Sequence, residues 1–296
     1  MNKLPVIQSF QEVFAGVTRH YFELIRVAPF AVTLILSGYL VMFIASPAEP
    51  AGEEPFRHAL AIAVVVTAFV VGFPSAAVRW HRFVLFGERP ADALASFWGR
   101  DQSLYCLNMV KLMLLMGVVV AATMLAVFGI GAGIAAALGG VDALSEGGKA
   151  GFGAVAVVAA VIVYLALIYL AARLTVAFPA AAIGQDASFR KAMEDTRGNG
   201  WRLLGYTLLV QLVVVIAVTI FGVIVGAIAG GVIAVLLTPE AVEPMIRYID
   251  ILTLPAILYQ LMIGVTMMSV AYREIVGLPQ HSAPDAPGDE AGFHPV

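Results

Sequence analysis

Residues 203–237 read LLGYTLLVQLVVVIAVTIFGVIVGAIAGGVIAVLL, with no charged side chain between Arg202 and Glu240. In lipid every backbone N–H and C=O must find its partner inside the segment, so a run of this kind has to be a helix. A hydrocarbon core about 30 Å thick takes roughly 20 apolar residues to cross. At about 1.5 Å per residue this stretch reaches roughly 50 Å. Tilt alone would have to exceed about 50° to fit it, against a usual range of about 0–40°. The helix therefore projects from the membrane or breaks, and Gly230-Gly231 offers the place for a break.

Five further stretches share this character: 28–46, 59–78, 107–138, 152–183 and 254–271. Of these, 107–138 and 152–183 are again too long for a simple crossing, with Gly139-Gly140 and Pro179 as expected ends or breaks. Hydrophobic residues make up 61% of the chain, charged residues 12%, and the mean hydropathy is +0.93. Soluble domains carry about a quarter charged residues, and no stretch here is polar enough to form one. The expected fold class is an all-α integral membrane domain of six transmembrane helices over 28–278. An amphipathic interfacial helix (1–27) precedes it and a disordered acidic tail (279–296), rich in Pro, Ala and Gly, follows. Residues 1–26 lack the continuous apolar core of a secretory signal, so the first span is expected to serve as its own insertion signal.

Orientation follows from Lys and Arg, which keep short loops cytoplasmic. Fourteen of the 17 basic residues fall on one side. They are Lys3, Arg19 and Arg26; Arg79, Arg82, Arg89, Arg100 and Lys111; Arg173, Arg190, Lys191, Arg197 and Arg202; and Arg273. Only Arg57, Lys149 and Arg247 fall on the other. Both termini are thus expected in the cytoplasm, and the Ala-, Val- and Gly-rich composition suits a bacterial inner membrane. A net charge of −3 exerts no general pull on nucleic acid, and no nucleic-acid partner is expected.

Before the first span, Val6, Phe10, Val13, Phe14, Val17, Tyr21, Leu24 and Ile25 recur at helical spacing, with Pro5 suited to the first turn. This amphipathic helix lies either in the headgroup layer or on the protein's own cytoplasmic face. Ser188 is a good N-cap for a short helix over 189–197, Gly198-Asn199-Gly200 ends it, and Trp201 stands where an interfacial aromatic belongs. Val84-Leu-Phe-Gly87, a short polar helix and Arg100 match Ala181-Ala-Ile-Gly184, a short helix and Arg197 at the same offset. That suggests a parallel internal repeat. Small-residue ladders follow in each unit: Gly129, Gly133 and Ala137 in one, Gly222, Gly226 and Gly230 in the other. Small faces let helices approach closely in lipid, so the third and fifth spans are expected to pack through these glycines. The same faces could instead join copies of the chain or a membrane-protein partner.

Catalytic chemistry is not visible. The five histidines have no metal-site spacing, there is no nucleophile elbow or phosphate loop, and no cofactor is expected. Cys106 is the only cysteine, which excludes an internal disulfide. His81-Arg82 reads as part of a basic cytoplasmic rim. Transport usually leaves ionisable groups deep in the bilayer. The one candidate is Arg173, which is either inside a fourth span running unbroken to Ile183 or snorkelling at its cytoplasmic end. Arg79, Arg82, Arg100, Arg190, Lys191, Arg197 and Arg202, with Arg89, would form a rim against anionic lipid headgroups or solutes, at about 1 kcal/mol per residue near the surface.

Ala172-Arg173-Leu-Thr-Val-Ala-Phe-Pro179, Ser188-Phe-Arg-Lys-Ala-Met193, Arg197-Gly-Asn-Gly-Trp201-Arg-Leu-Leu204 and Ala271-Tyr272-Arg273-Glu274 together carry a resemblance over about a fifth of the chain. On them the sequence resembles the bacterial multi-pass proteins related to the membrane domain of glycerophosphoryl diester phosphodiesterases. The resemblance implies an all-helical integral domain. It does not extend to phosphodiesterase activity, since no soluble stretch approaches the roughly 250 residues of a catalytic barrel. The expected function is that of a non-enzymatic inner-membrane scaffold or lipid-interacting accessory, with membrane lipids as partners. The alternative is a small permease or flippase-like transporter of amphiphilic or anionic solutes, working at Arg173 and Pro179.

Overall fold

A computed structural model describes residues 3–45, 55–89, 97–137, 146–236 and 250–278, and every regular element among them is helical. Helices α1 (Val6–Arg19) and α2 (Glu23–Val27) lead into α3 (Pro29–Ala45). Next come α4 (Pro55–Thr67), a π-helical segment (Ala68–Gly72) and α5 (Phe73–Phe86). The long α6 (Arg100–Ala137) and α7 (Glu146–Leu174) follow, then the short α8 (Ala177–Ala182) and α9 (Phe189–Asp195). The chain closes with α10 (Gly200–Leu236), a 3-10 turn and α11 (Leu254–Ile275). Five stretches are long and apolar enough to cross a membrane: Ala59–Phe86, Arg100–Val127, Val157–Ala182, Gly200–Val232 and Leu254–Ile275. The sixth apolar helix, α3, is shorter, at 17 residues.

Proline sets the breaks. Pro74 has no N–H for the carbonyl four residues back, and the helix widens to π geometry immediately before it. Pro179 likewise cannot bond to the Thr175 carbonyl, so the Phe178 N–H takes it instead at 3.1 Å and the helix tightens between α7 and α8. A break near Pro179 is therefore present. The break expected at Gly230-Gly231 is not: α10 passes through both glycines as one helix of 37 residues. Like the 38-residue α6, it extends over roughly 55 Å at 1.5 Å per residue. Each helix already has all its interior backbone bonds, so two glycines with no clash to relieve give no reason to stop. The break expected at Gly139-Gly140, the short helix before Arg100 and the tail from Pro279 lie outside the described residues.

The interior is gathered at one end of the molecule. Helices α5, α8 and α11 pack on one another, and each closes on a left-handed glycine: Gly87 (φ 69°), Gly184 (φ 71°) and Gly277 (φ 87°). The amide of each donates back into its helix, to Phe83, Ala181 and Arg273 respectively, which is how a helix ends where only glycine tolerates the backbone. Trp80, Phe83, Tyr105, Tyr206, Met262 and Ile263 fill the space between. Away from this end the long helices separate. Among the described residues, none beyond Asn108 in α6, before Ala172 in α7 or beyond Val214 in α10 is buried, so the apolar side chains of these segments are exposed or only half-buried.

Two expectations are corrected here, and of the two placements open to α1 one is favoured. Among the described residues, a Cβ built on Gly129, Gly133, Gly222, Gly226 or Gly230 meets nothing within 4 Å, so no packing of α6 on α10 through the ladders is seen there. Close approach occurs instead in the first hairpin. A Cβ on Gly38 would stand 2.5 Å from that of Ala68, and one on Gly72 would stand 3.1 Å from Ile35 Cγ1. His81 is not part of a rim: it is fully buried, because α5 continues two turns past the point where the apolar run ends. Helix α1, finally, turns its apolar face onto the protein's own core, with Leu4, Val13 and Val17 fully buried against α10 and α11.

Candidate functional site

The last two turns of α5 carry Arg79, Trp80, His81 and Arg82 at successive positions, which a helix distributes around its circumference. Trp80 and His81 face inward. The Trp80 indole N–H donates to Thr266 Oγ1 at 2.8 Å, and His81 Nδ1 lies 2.6 Å from Ser269 Oγ. The Ser269 hydroxyl also lies 3.1 Å from the Val265 carbonyl, and which atom of the His81–Ser269 pair donates depends on the histidine tautomer. The buried pair ties α5 to α11.

Arg79 and Arg82 face the other way, into a cavity of about 520 Å³. Its walls are Val78, Arg79 and Arg82 of α5, Glu88 and Arg89 beyond the Gly87 turn, and Trp98 to Gln102 at the start of α6. The turn at Gly87 brings the chain round so that Arg89 returns over the Phe83 ring, 5.8 Å from its centroid. The opposite wall is fixed by Phe97: its carbonyl accepts from Ser75 Oγ (2.7 Å), and its ring stands edge-on to Phe30 at 4.2 Å.

Three of the four guanidinium groups are anchored. Arg79, almost fully buried, donates through Nη1 to the Val27 carbonyl at 3.0 Å. Arg82 Nε donates to the Ala182 carbonyl at 2.7 Å, and its Nη2 forms an ion pair with Asp101. Arg89 Nε stands 3.3 Å from Glu23 Oε2, a Coulombic contact outside hydrogen-bond geometry. Arg100 is exposed and forms no ion pair among the described residues. The cavity is therefore a cationic concavity with one guanidinium uncommitted and one shared with an internal carboxylate. Bidentate guanidinium groups in such a setting recognise carboxylate and, above all, phosphate oxygens.

The remaining residues of the expected rim stand apart from this cavity. Arg173, at the end of α7, donates to Thr196 Oγ1 (3.0 Å) and to the Met193 carbonyl (2.5 Å), with its guanidinium 5.8 Å from the Tyr169 ring centre. It thus pins α9 to α7. Arg190 and Lys191 pair along α9 with Glu194 and Asp195. These neighbours hold both cations above their ordinary pKa values. The Ser188 amide and hydroxyl hold Asp186 below the usual carboxylate range. Lys191 also borders a cleft of about 110 Å³ with Asp186, Asp195 and Tyr272. Arg202 donates to the Leu4 carbonyl at 3.0 Å, while Arg197 is exposed. Helix α9 starts as expected, with Ser188 accepting from the Lys191 amide.

Among the described residues no three His, Cys, Asp or Glu side chains stand together as a metal site would need. A second polar cluster was hidden in the sequence. Arg273 of α11 bonds Glu12 of α1, 261 positions away, and its own neighbour Glu274. Nothing local marks that pair, because the only signal is the meeting of two helix faces. Comparison with family models, with curated proteins and with solved structures finds no match.

Proposed function

We propose that this chain is a non-enzymatic, six-span protein of the bacterial inner membrane, with both termini cytoplasmic, that holds anionic lipid headgroups at its cytoplasmic end. The observation that carries this reading is the convergence of Arg79, Arg82, Arg89 and Arg100 on one cavity. The positive-inside rule would scatter cations along a rim, and it gives no reason for four of them to share a concave wall. The cationic segments also touch one another: Arg202 reaches Leu4, Arg89 faces Glu23, and Arg273 bonds Glu12. This gathers at one end of the molecule most of the residues expected in the cytoplasm, and in that frame α1 lies near the headgroup layer, with its Ile7 and, just before α2, Phe22 exposed. The three glycine-closed helices are consistent with a repeated unit, and the likeness to the membrane domain of glycerophosphoryl diester phosphodiesterases fits a domain without its own chemistry. The transport reading draws less support, since Arg173, on which it turned, is hydrogen-bonded to Thr196 and to the Met193 carbonyl.

The test is lipid identification after mild detergent extraction, comparing wild type with Arg82→Gln/Arg100→Gln. Wild type is expected to retain anionic lipid in fixed stoichiometry, and the double variant to lose most of it. Equal retention by the two proteins would remove the cavity from the function.

A further inference from the structure

We infer that the cavity selects a phosphate monoester, the terminal phosphate of an amphiphile, and that Asp101 is the residue that sets this selectivity; the inference rests on the lipid-binding reading above. The ion pair between Arg82 and Asp101 lies in the cavity wall, so an incoming anion competes with an internal carboxylate for the same guanidinium. Arg82 cannot turn aside to serve both, because its Nε is held by the Ala182 carbonyl. A monoanionic phosphodiester offers no more charge than the carboxylate it must displace. A phosphomonoester carries about −1.5 to −2 charges and three acceptor oxygens, enough to engage Arg82 and the uncommitted Arg100 together while Asp101 stays nearby. Size points the same way. Cavities of about 300–1,000 Å³ take organic ligands, and 520 Å³ leaves room for a glycerol-sized group behind the phosphate. Trp98, 41% exposed in the wall, is the apolar surface such a group would meet.

The experiment is a titration of the full chain in detergent, with Trp80 and Trp201 replaced by Phe so that Trp98 reports alone. The probes are dihexanoyl phosphatidic acid, dihexanoyl phosphatidylglycerol and inorganic phosphate. Wild type is expected to bind the monoester lipid at least tenfold more tightly than the diester. Asp101→Asn should tighten the diester about tenfold and so narrow the gap, Asp101→Glu should restore it, and Arg100→Gln should weaken both lipids. Quenching of Trp98 by iodide, with no lipid present, checks that each variant keeps the wall in place.

Equal affinity for the two lipids in wild type, or a diester affinity that Asp101→Asn leaves unchanged, overturns the selectivity inference while lipid binding itself stands. Absence of saturable binding of either lipid overturns both readings. Inorganic phosphate binding as tightly as the monoester lipid would keep the phosphomonoester chemistry and assign it to a soluble ligand.

Discussion

Arg173 shows how far one residue's neighbours can be from what its position suggests. The sequence left it either stranded inside a span or snorkelling at its edge. The structure satisfies it with Thr196 and the Met193 carbonyl, groups that the chain reaches only after α8 has turned back. Arg173→Leu would leave that carbonyl without its charged donor. A lost hydrogen bond to a charged group costs about 1.5–3 kcal/mol, and the half-buried setting favours the lower end. The expected outcome is a lower unfolding temperature in detergent and faster amide exchange over α9, with lipid retention at the distant cavity unchanged. Loss of lipid with an intact α9 would show that Arg173 takes part in binding. The sequence grouped the cavity arginines as cations of one set of connections, because residue type and loop position suffice for that. Their convergence was not legible, because it depends on Gly87 turning the chain and on Phe97 docking against Ser75 and Phe30.

Elements reveal a second asymmetry between pattern and packing. Helix positions, the proline break and the Ser188 cap could be read locally, because each depends on residues within one or two turns. Which faces meet could not. The ladders in α6 and α10 have the spacing of packing motifs, yet among the described residues they meet no partner, whereas Gly38 and Gly72, which belong to no such ladder, allow α3 to lie against the π segment. The physical reason is that a small face permits close approach without supplying a partner. Gly38→Val should therefore disrupt the first hairpin, since the new side chain meets Ala68 at a distance that real Cβ atoms do not adopt. Overpacking of this kind costs about 1–3 kcal/mol. Gly226→Val, with nothing within 4 Å, should leave the unfolding temperature of the detergent-solubilised chain unchanged. If Gly226→Val proves as damaging as Gly38→Val, the α10 ladder is covered in solution, and a second copy of the chain becomes the first occupant to test by cross-linking.

At the scale of the whole molecule, the distribution of burial supports a membrane protein as strongly as the apolar runs do. A water-soluble bundle this apolar would have to bury its long helices. Here α6, α7 and α10 leave the packed end and show Met113, Leu125, Val155, Val161, Ile216 and Val223 on their outer surfaces, where only hydrocarbon would spare them the cost of exposure, about 25 cal/mol per Å² of apolar surface. The packed end, by contrast, holds the ion pairs of Arg82, Arg89 and Arg273, which need headgroups or water beside them. Cationic ends are retained where they are synthesised, so this end should face the cytoplasm. Reporters fused at Met1 and after Val296, active only in the cytoplasm, are both expected to be active, and a reporter inserted between Gly140 and Ser145 is expected to be silent. Five spans in place of six would put the two termini in different compartments. The short α3 is the only apolar helix whose crossing is in question, and a second reporter, between Ala48 and Gly52, isolates it. Silence there means that α3 crosses. Activity there overturns the six-span reading.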